Sequence, residues 1–197
     1  PSKERPDAQP ADCPDVLTVV VPGTWESSAD DDPYAPSANP NSLMLRVSRA
    51  LSSDFDSSRS EIYTVPYTAQ FRNPTNLTDR QADYNVSRTQ GYKRAAGKII
   101  ATNKRCPLTT YVIMGFSQGA VIAGDLTSEI GNGNGPVPAD RMLGSVLIAD
   151  GRRLPGQGQS PGQQVRQLAA IICCVLVGPA QASGARGHRH SSRQPCL

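Results

Sequence analysis

The stretch from Thr109 to Asp125 constrains this chain more than any other. It reads Thr-Thr-Tyr-Val-Ile-Met-Gly-Phe-Ser-Gln-Gly-Ala-Val-Ile-Ala-Gly-Asp. The apolar start predicts a short strand, and the small residues after Gly119 predict a helix. Between them stands Gly115-Phe116-Ser117-Gln118-Gly119. G-x-S-x-G between a strand and a helix is the pattern of a nucleophile elbow, a strained turn that projects the serine hydroxyl from the sheet edge. Glycine is needed on either side because a side chain there would collide with crowded backbone.

The remaining elements alternate around this motif. Cys13-Pro-Asp-Val-Leu-Thr-Val-Val-Val21 predicts a strand buried on both faces, as in parallel sheets. Pro22-Gly23-Thr24-Trp25-Glu26-Ser27 is a tight loop. Asp30, Asp31 and Asp32 read as a solvated acidic loop, since no cation-ligand spacing accompanies them. Asn41 or Ser42 can cap a helix running to about Leu51, with Leu43, Met44, Val47 and Leu51 on its apolar face. Ser60 to Val65 predicts a second strand. Residues 66–83 form a long polar loop, and such loops in a compact domain are commonly functional. A helix is expected from about Tyr84 to Asn103, weakened by Gly91 and Gly97. The helix after Ser117 should stop near Ile130, before Gly131-Asn-Gly-Asn-Gly135. Met142 to Ala149 predicts a further buried strand ending at Asp150. This alternation predicts a parallel sheet covered by helices on both sides, with right-handed crossovers. Function should lie at the carboxyl ends of the strands, where Thr24, Ser117 and Asp150 all fall.

At 197 residues one domain is expected, with residues 1–12 as a polar N-terminal arm. Residues 1–150 hold all 17 acidic side chains and 14 of the 20 Lys and Arg, whereas residues 151–197 hold six Arg and no acid. The net charge of +3 is thus a property of the tail and does not argue for nucleic acid. Five Cys suit an oxidising compartment with one thiol left over, and a first residue of Pro rather than Met fits either a processed secreted protein or an artificially expressed fragment. The longest apolar run, Leu168 to Val177, is too short to span a bilayer.

A serine hydroxyl is a poor nucleophile near neutrality. It needs a base within hydrogen-bond reach, usually His, and a carboxylate to orient that base. The tetrahedral intermediate also needs oxyanion donors. The backbone N–H of Gln118 is the expected first donor, and Gly23-Thr24 is the candidate loop for the second.

Taken together, Cys13-Pro-Asp, Pro22-Gly-Thr-Trp-Glu26, Cys106 and Gly115-Phe-Ser-Gln-Gly-Ala120 resemble the cutinase family, above all its actinobacterial carboxylesterases. The resemblance implies an α/β-hydrolase, a three-layer sandwich with a mainly parallel central sheet, here incomplete at the C-terminus. It implies a Cys13–Cys106 disulfide, Ser117 as nucleophile, and Thr24 and Gln118 as the oxyanion hole. It further implies a secreted or cell-envelope monomer that needs no cofactor or metal, acts on ester or lipid substrates and meets a lipid surface.

The resemblance covers residues 13–157, and residues 158–197 form a divergent basic tail. The family places its catalytic Asp between two Cys, followed by the catalytic His. Here no Asp or Glu follows Asp150, and Cys173 and Cys174 are adjacent, with Cys196 far on. The abrupt change in composition reads as an out-of-frame or truncated tail. The only histidines are His188 and His190, 71 and 73 residues after Ser117. His188 is the candidate base and Asp150 the candidate orienting acid. Two functions follow: a serine esterase, or a cutinase-like shell without a working triad, serving as a lipid-binding or cell-surface component. The apolar run Leu168 to Val177 is a candidate substitute strand or helix for the sheet.

Overall fold

The computed structural model describes residues 8–152 and the strand Cys174–Val177. Its elements in chain order are β1 (Val16–Val21), α1 (Leu43–Asp54), β2 (Ser60–Thr64), α2 (Tyr84–Arg105), β3 (Thr110–Phe116), α3 (Gln118–Gly131), β4 (Met142–Ile148) and β5 (Cys174–Val177). The sheet order is β2-β1-β3-β4-β5. The first four strands are parallel, and β5 runs antiparallel along β4. The apolar run singled out above therefore contributes an edge strand.

Alternation along the strands decides what each face meets. Leu17, Val19 and Val21 of β1 and Tyr111 and Ile113 of β3 are fully buried in one cluster with α2 and α3. Ala95, Ala96 and Ile99 come from α2, and Ala120, Ile122, Ala123, Leu126 and Ile130 from α3. The opposite face meets α1, whose Met44 and Leu45 are fully buried. Helices thus flank the sheet on both sides, the three-layer arrangement expected.

Local chemistry sets the ends of the elements. Ser42 caps α1, its hydroxyl accepting from the Leu45 N–H at 3.1 Å. The helix runs to Asp54 rather than stopping near Leu51; Ser52, Ser53 and Asp54 lie exposed, so the apolar pattern does not mark their turn. Gly91 strengthens the packing of α2: a Cβ there would lie 2.7 Å from the Ile122 side chain and 2.9 Å from the Tyr67 ring. Asp31 and Asp32 fold their own loop. Asp31 accepts from the N–H groups of Asp32, Ser37 and Ala38, and Asp32 from those of Tyr34 and Ala35. Among the described residues no His, Cys, Asp and Glu cluster could hold a metal ion.

A disulfide joins Cys13, just before β1, to Cys106, just after α2. Both are buried, at 6% and 1% exposure.

Candidate active site

Strand register brings the candidate residues to one edge. Val21 of β1 lies level with Gly115 of β3, and Phe116 of β3 with Ile148 of β4. Pro22-Gly23-Thr24, Ser117 and Ala149-Asp150 therefore leave three adjacent strands at their carboxyl ends. Thr24 is half-buried at the corner of a turn closed by Glu26 N–H donating to the Gly23 carbonyl at 3.1 Å.

Ser117 itself occupies φ 52° and ψ −115° between β3 and α3. Non-glycine residues avoid that region, and such outliers persist only where the surroundings hold them. The holding groups are identifiable. The Ser117 N–H donates to the Ile148 carbonyl at 2.9 Å, and the Ser117 carbonyl accepts from Ala120 and Val121 as α3 begins. A Cβ on Gly115 would lie 2.2 Å from the Gly119 carbonyl oxygen. No side chain fits there. The serine thus stands at the N-terminus of α3, where backbone N–H groups have no partner within the helix.

Gln118 is buried, with 2% exposure, and its side chain joins a polar ring with Gln70 and Ser87. The Gln70 N–H donates to the Ser87 hydroxyl (3.0 Å), which donates to Gln118 Oε1 (2.8 Å). Gln118 Nε2 donates back to the Gln70 carbonyl (3.1 Å). Next door, the Ala69 carbonyl accepts from the Trp25 N–H at 2.6 Å. Trp25 Nε1 donates to Gln81 Oε1 at 2.6 Å. Residues 66–83 are therefore fastened to both the Thr24 turn and the elbow.

Glu26 and Tyr67 are site residues that sequence reasoning missed. The buried Glu26 carboxylate accepts from the Gly23 N–H (2.7 Å) and, with its other oxygen, from the Leu43 N–H at the start of α1 (2.6 Å). Tyr67 donates its hydroxyl to the Pro22 carbonyl at 2.6 Å. Burial pushes the Tyr67 hydroxyl far above its usual range, so it remains a donor at every physiological pH.

Asp150 follows Ala149, another residue with positive φ (52°), and its Oδ1 accepts from the Arg152 N–H at 3.0 Å. Arg152 in turn contacts Asp125 of α3, which also pairs with Arg88 of α2 at 2.6 Å. His188 and His190 lie outside the described residues, as do Cys173 and Cys196.

The family model described as Cutinase matches residues 35–181. The "Carboxylesterase Culp6 homolog" of Corynebacterium glutamicum is 46% identical over 168 residues. That match takes in 85% of this chain and 54% of the relative, so the chain spans about half the relative's length. Among solved structures, the catalytic core domain of acetyl xylan esterase from Trichoderma reesei matches with a TM-score of 0.51 and 19% identity, over 74% of this chain and 68% of that one. This last likeness is one of fold.

Proposed function

From the premise that the chain belongs to the cutinase family, we propose that it is a serine carboxylic-ester hydrolase working through an acyl-enzyme on Ser117. The observation that carries this reading is the backbone at Ser117, held at φ 52° between two glycines whose Cβ positions are filled by neighbouring backbone. Such strain has a use if the hydroxyl must stand clear of the sheet edge.

In this reading the Ser117 hydroxyl attacks the ester carbonyl and passes its proton to a base. The tetrahedral oxyanion is met by the Gln118 N–H and by Thr24. Collapse expels the alcohol, and water then hydrolyses the acyl-enzyme. We assign the base to His188 and its orienting acid to Asp150, which leaves β4 beside the elbow. The substrate is an ester at a lipid surface, approached over the exposed Phe71 and Leu77 of residues 66–83 and over the exposed Trp25, which is fastened to them through Gln81. Action outside the cytoplasm, secreted or at the envelope, accords with the Cys13–Cys106 disulfide. No helix among the described residues is long and apolar enough to cross a membrane.

A fluorophosphonate probe tests the nucleophile. Labelling of the folded chain that vanishes in Ser117→Ala is the expected result. A folded chain that takes no label sinks the enzyme reading and leaves the cutinase-like shell without a working triad, a lipid-binding or cell-surface component, as the reading to test. Ester hydrolysis that survives His188→Ala removes that residue as base, and His190→Ala is the matched control.

A further inference from the structure

Two consecutive residues, Ala69 and Gln70, touch both elements assigned to the oxyanion hole. The Ala69 carbonyl receives the N–H of Trp25, the residue directly after Thr24, at 2.6 Å. Both backbone groups of Gln70 join the ring with Ser87 and the Gln118 side chain. Ala69 takes φ 49° although it is fully buried and not glycine. A buried residue keeps such a conformation when its neighbours over-determine it.

The support behind this pair is rigid. Ser87 and Gln90 stand three residues apart on α2, and so on one face of the helix. Gln90 Oε1 accepts from both the Thr68 N–H (2.7 Å) and the Thr68 hydroxyl (2.6 Å). Gln70 Oε1 accepts from the Ala82 N–H at 2.8 Å, closing the base of the loop. Every link in the Gln70–Ser87–Gln118 ring uses a side chain with its partners satisfied, and Ser87 is fully buried. Buried networks of this kind fix geometry, because any displacement leaves a polar group unpaired in a low-dielectric interior.

We propose that Ala69–Gln70, braced on Ser87, is a strut that sets the spacing between the Thr24 and Gln118 oxyanion donors. Ser87 and the Gln118 side chain are positioning groups: they touch no substrate and act through the backbone they hold. The catalytic consequence rests on the esterase reading above. The strut itself does not. An oxyanion donor works only when it is aimed at where the charge will develop, and small misplacements cost rate rather than substrate binding.

The test uses the full chain with Ser87→Ala, Ser87→Thr, Gln118→Leu and the double variant Ser87→Ala/Gln118→Leu. Gln118→Leu breaks the same ring from the opposite side while leaving the backbone N–H in place. Hydrolysis of p-nitrophenyl butyrate gives kcat and KM, and hydrogen exchange reports on residues 23–27 and 117–120. Each alanine or leucine variant should lower kcat by about ten- to a hundred-fold with KM changed less than roughly twofold. Threonine, which keeps the hydroxyl, should restore kcat. The double variant should lose little beyond either single one, because both open the same ring. Exchange should quicken in both segments together.

Wild-type kcat in folded Ser87→Ala overturns the strut, as does faster exchange in 117–120 with 23–27 unchanged. If the wild type neither turns over ester nor takes a fluorophosphonate, the esterase reading fails. Exchange then still decides whether one strut couples the two loops.

Discussion

Gly119 lies so close to Val21 that a Cβ on it would sit 2.1 Å from the Val21 carbonyl oxygen. This contact presses the first turn of α3 onto the end of β1. It thereby brings the Ser117 elbow beside the Pro22-Gly23-Thr24 turn. The obstacle is backbone on both sides, so no side-chain rotation relieves it. Gly119→Ala should destabilise the fold by at least about 3 kcal/mol, the upper end for overpacking. Urea unfolding should show a lowered midpoint, and any folded fraction should have lost fluorophosphonate reactivity. A near-native midpoint would mean that α3 can move off β1 freely.

Glu26 holds the same turn from behind. Its two oxygens accept from Gly23 at 2.7 Å and Leu43 at 2.6 Å, both backbone N–H groups. Leu43 opens α1, so the carboxylate also meets the positive end of a helix dipole. Glu26→Gln is nearly isosteric, yet one oxygen becomes an NH2 that faces a donor. The expected loss is about 1.5–3 kcal/mol, as for a buried hydrogen bond to a charged acceptor. Thermal denaturation checks the stability. A fall in kcat alongside it would place the loosened Gly23–Thr24 turn in the reaction path.

What could be read from sequence was what local pattern encodes. The elbow needs two glycines and a serine within five positions, and the strands are continuous apolar runs. Both are visible without a fold. Glu26 was visible as a residue but not as a link, because its second partner lies 17 positions on and the intervening loop decides their meeting. Ser87 and Gln118 are 31 positions apart and meet only because α2 packs on α3. Gly91 looked like a helix weakness, since propensity describes an isolated helix. In the folded chain it is a point where the Tyr67 and Ile122 side chains fill the space that a Cβ would need. Tertiary contact assigned these residues their roles, and no local pattern carries it.

The Cys13–Cys106 bond spans 93 residues and ties the entry to β1 to the exit from α2. A cross-link of that span removes much of the unfolded chain's freedom, about 4–4.7 kcal/mol on the chain-entropy estimate. Reduction, or Cys13→Ser/Cys106→Ser, should lower unfolding stability by about that amount in urea. Both sulfurs are buried, so dithiothreitol should act slowly on the native protein and fast once urea opens it. Equal midpoints with and without reductant would show that the bond does not form in solution.

Tyr111 supplies a test through pH. It is fully buried in the core cluster, and among the described residues its hydroxyl has no hydrogen-bond partner. Burial pushes the hydroxyl up to about 12, with the nearby Arg141 pulling the other way. An unpaired buried hydroxyl costs about 1–3 kcal/mol, so Tyr111→Phe should leave the protein equally stable or gain about 1 kcal/mol near neutrality. The alkaline limb is the sharper readout. The folded value lies above the unfolded one of about 10, so ionisation of Tyr111 takes nothing from the folded state's stability below pH 10. Above pH 10 the unfolded chain ionises first and binds fewer protons than the folded chain. Stability therefore falls as pH rises towards the folded value, by about 1.4 kcal/mol per pH unit for one such group. Tyr67 is shifted the same way and keeps contributing in the variant. Guanidinium unfolding between pH 9 and pH 12 should thus give Tyr111→Phe a shallower decline than the parent chain. Parallel declines would mean that the Tyr111 hydroxyl reaches water in the folded protein.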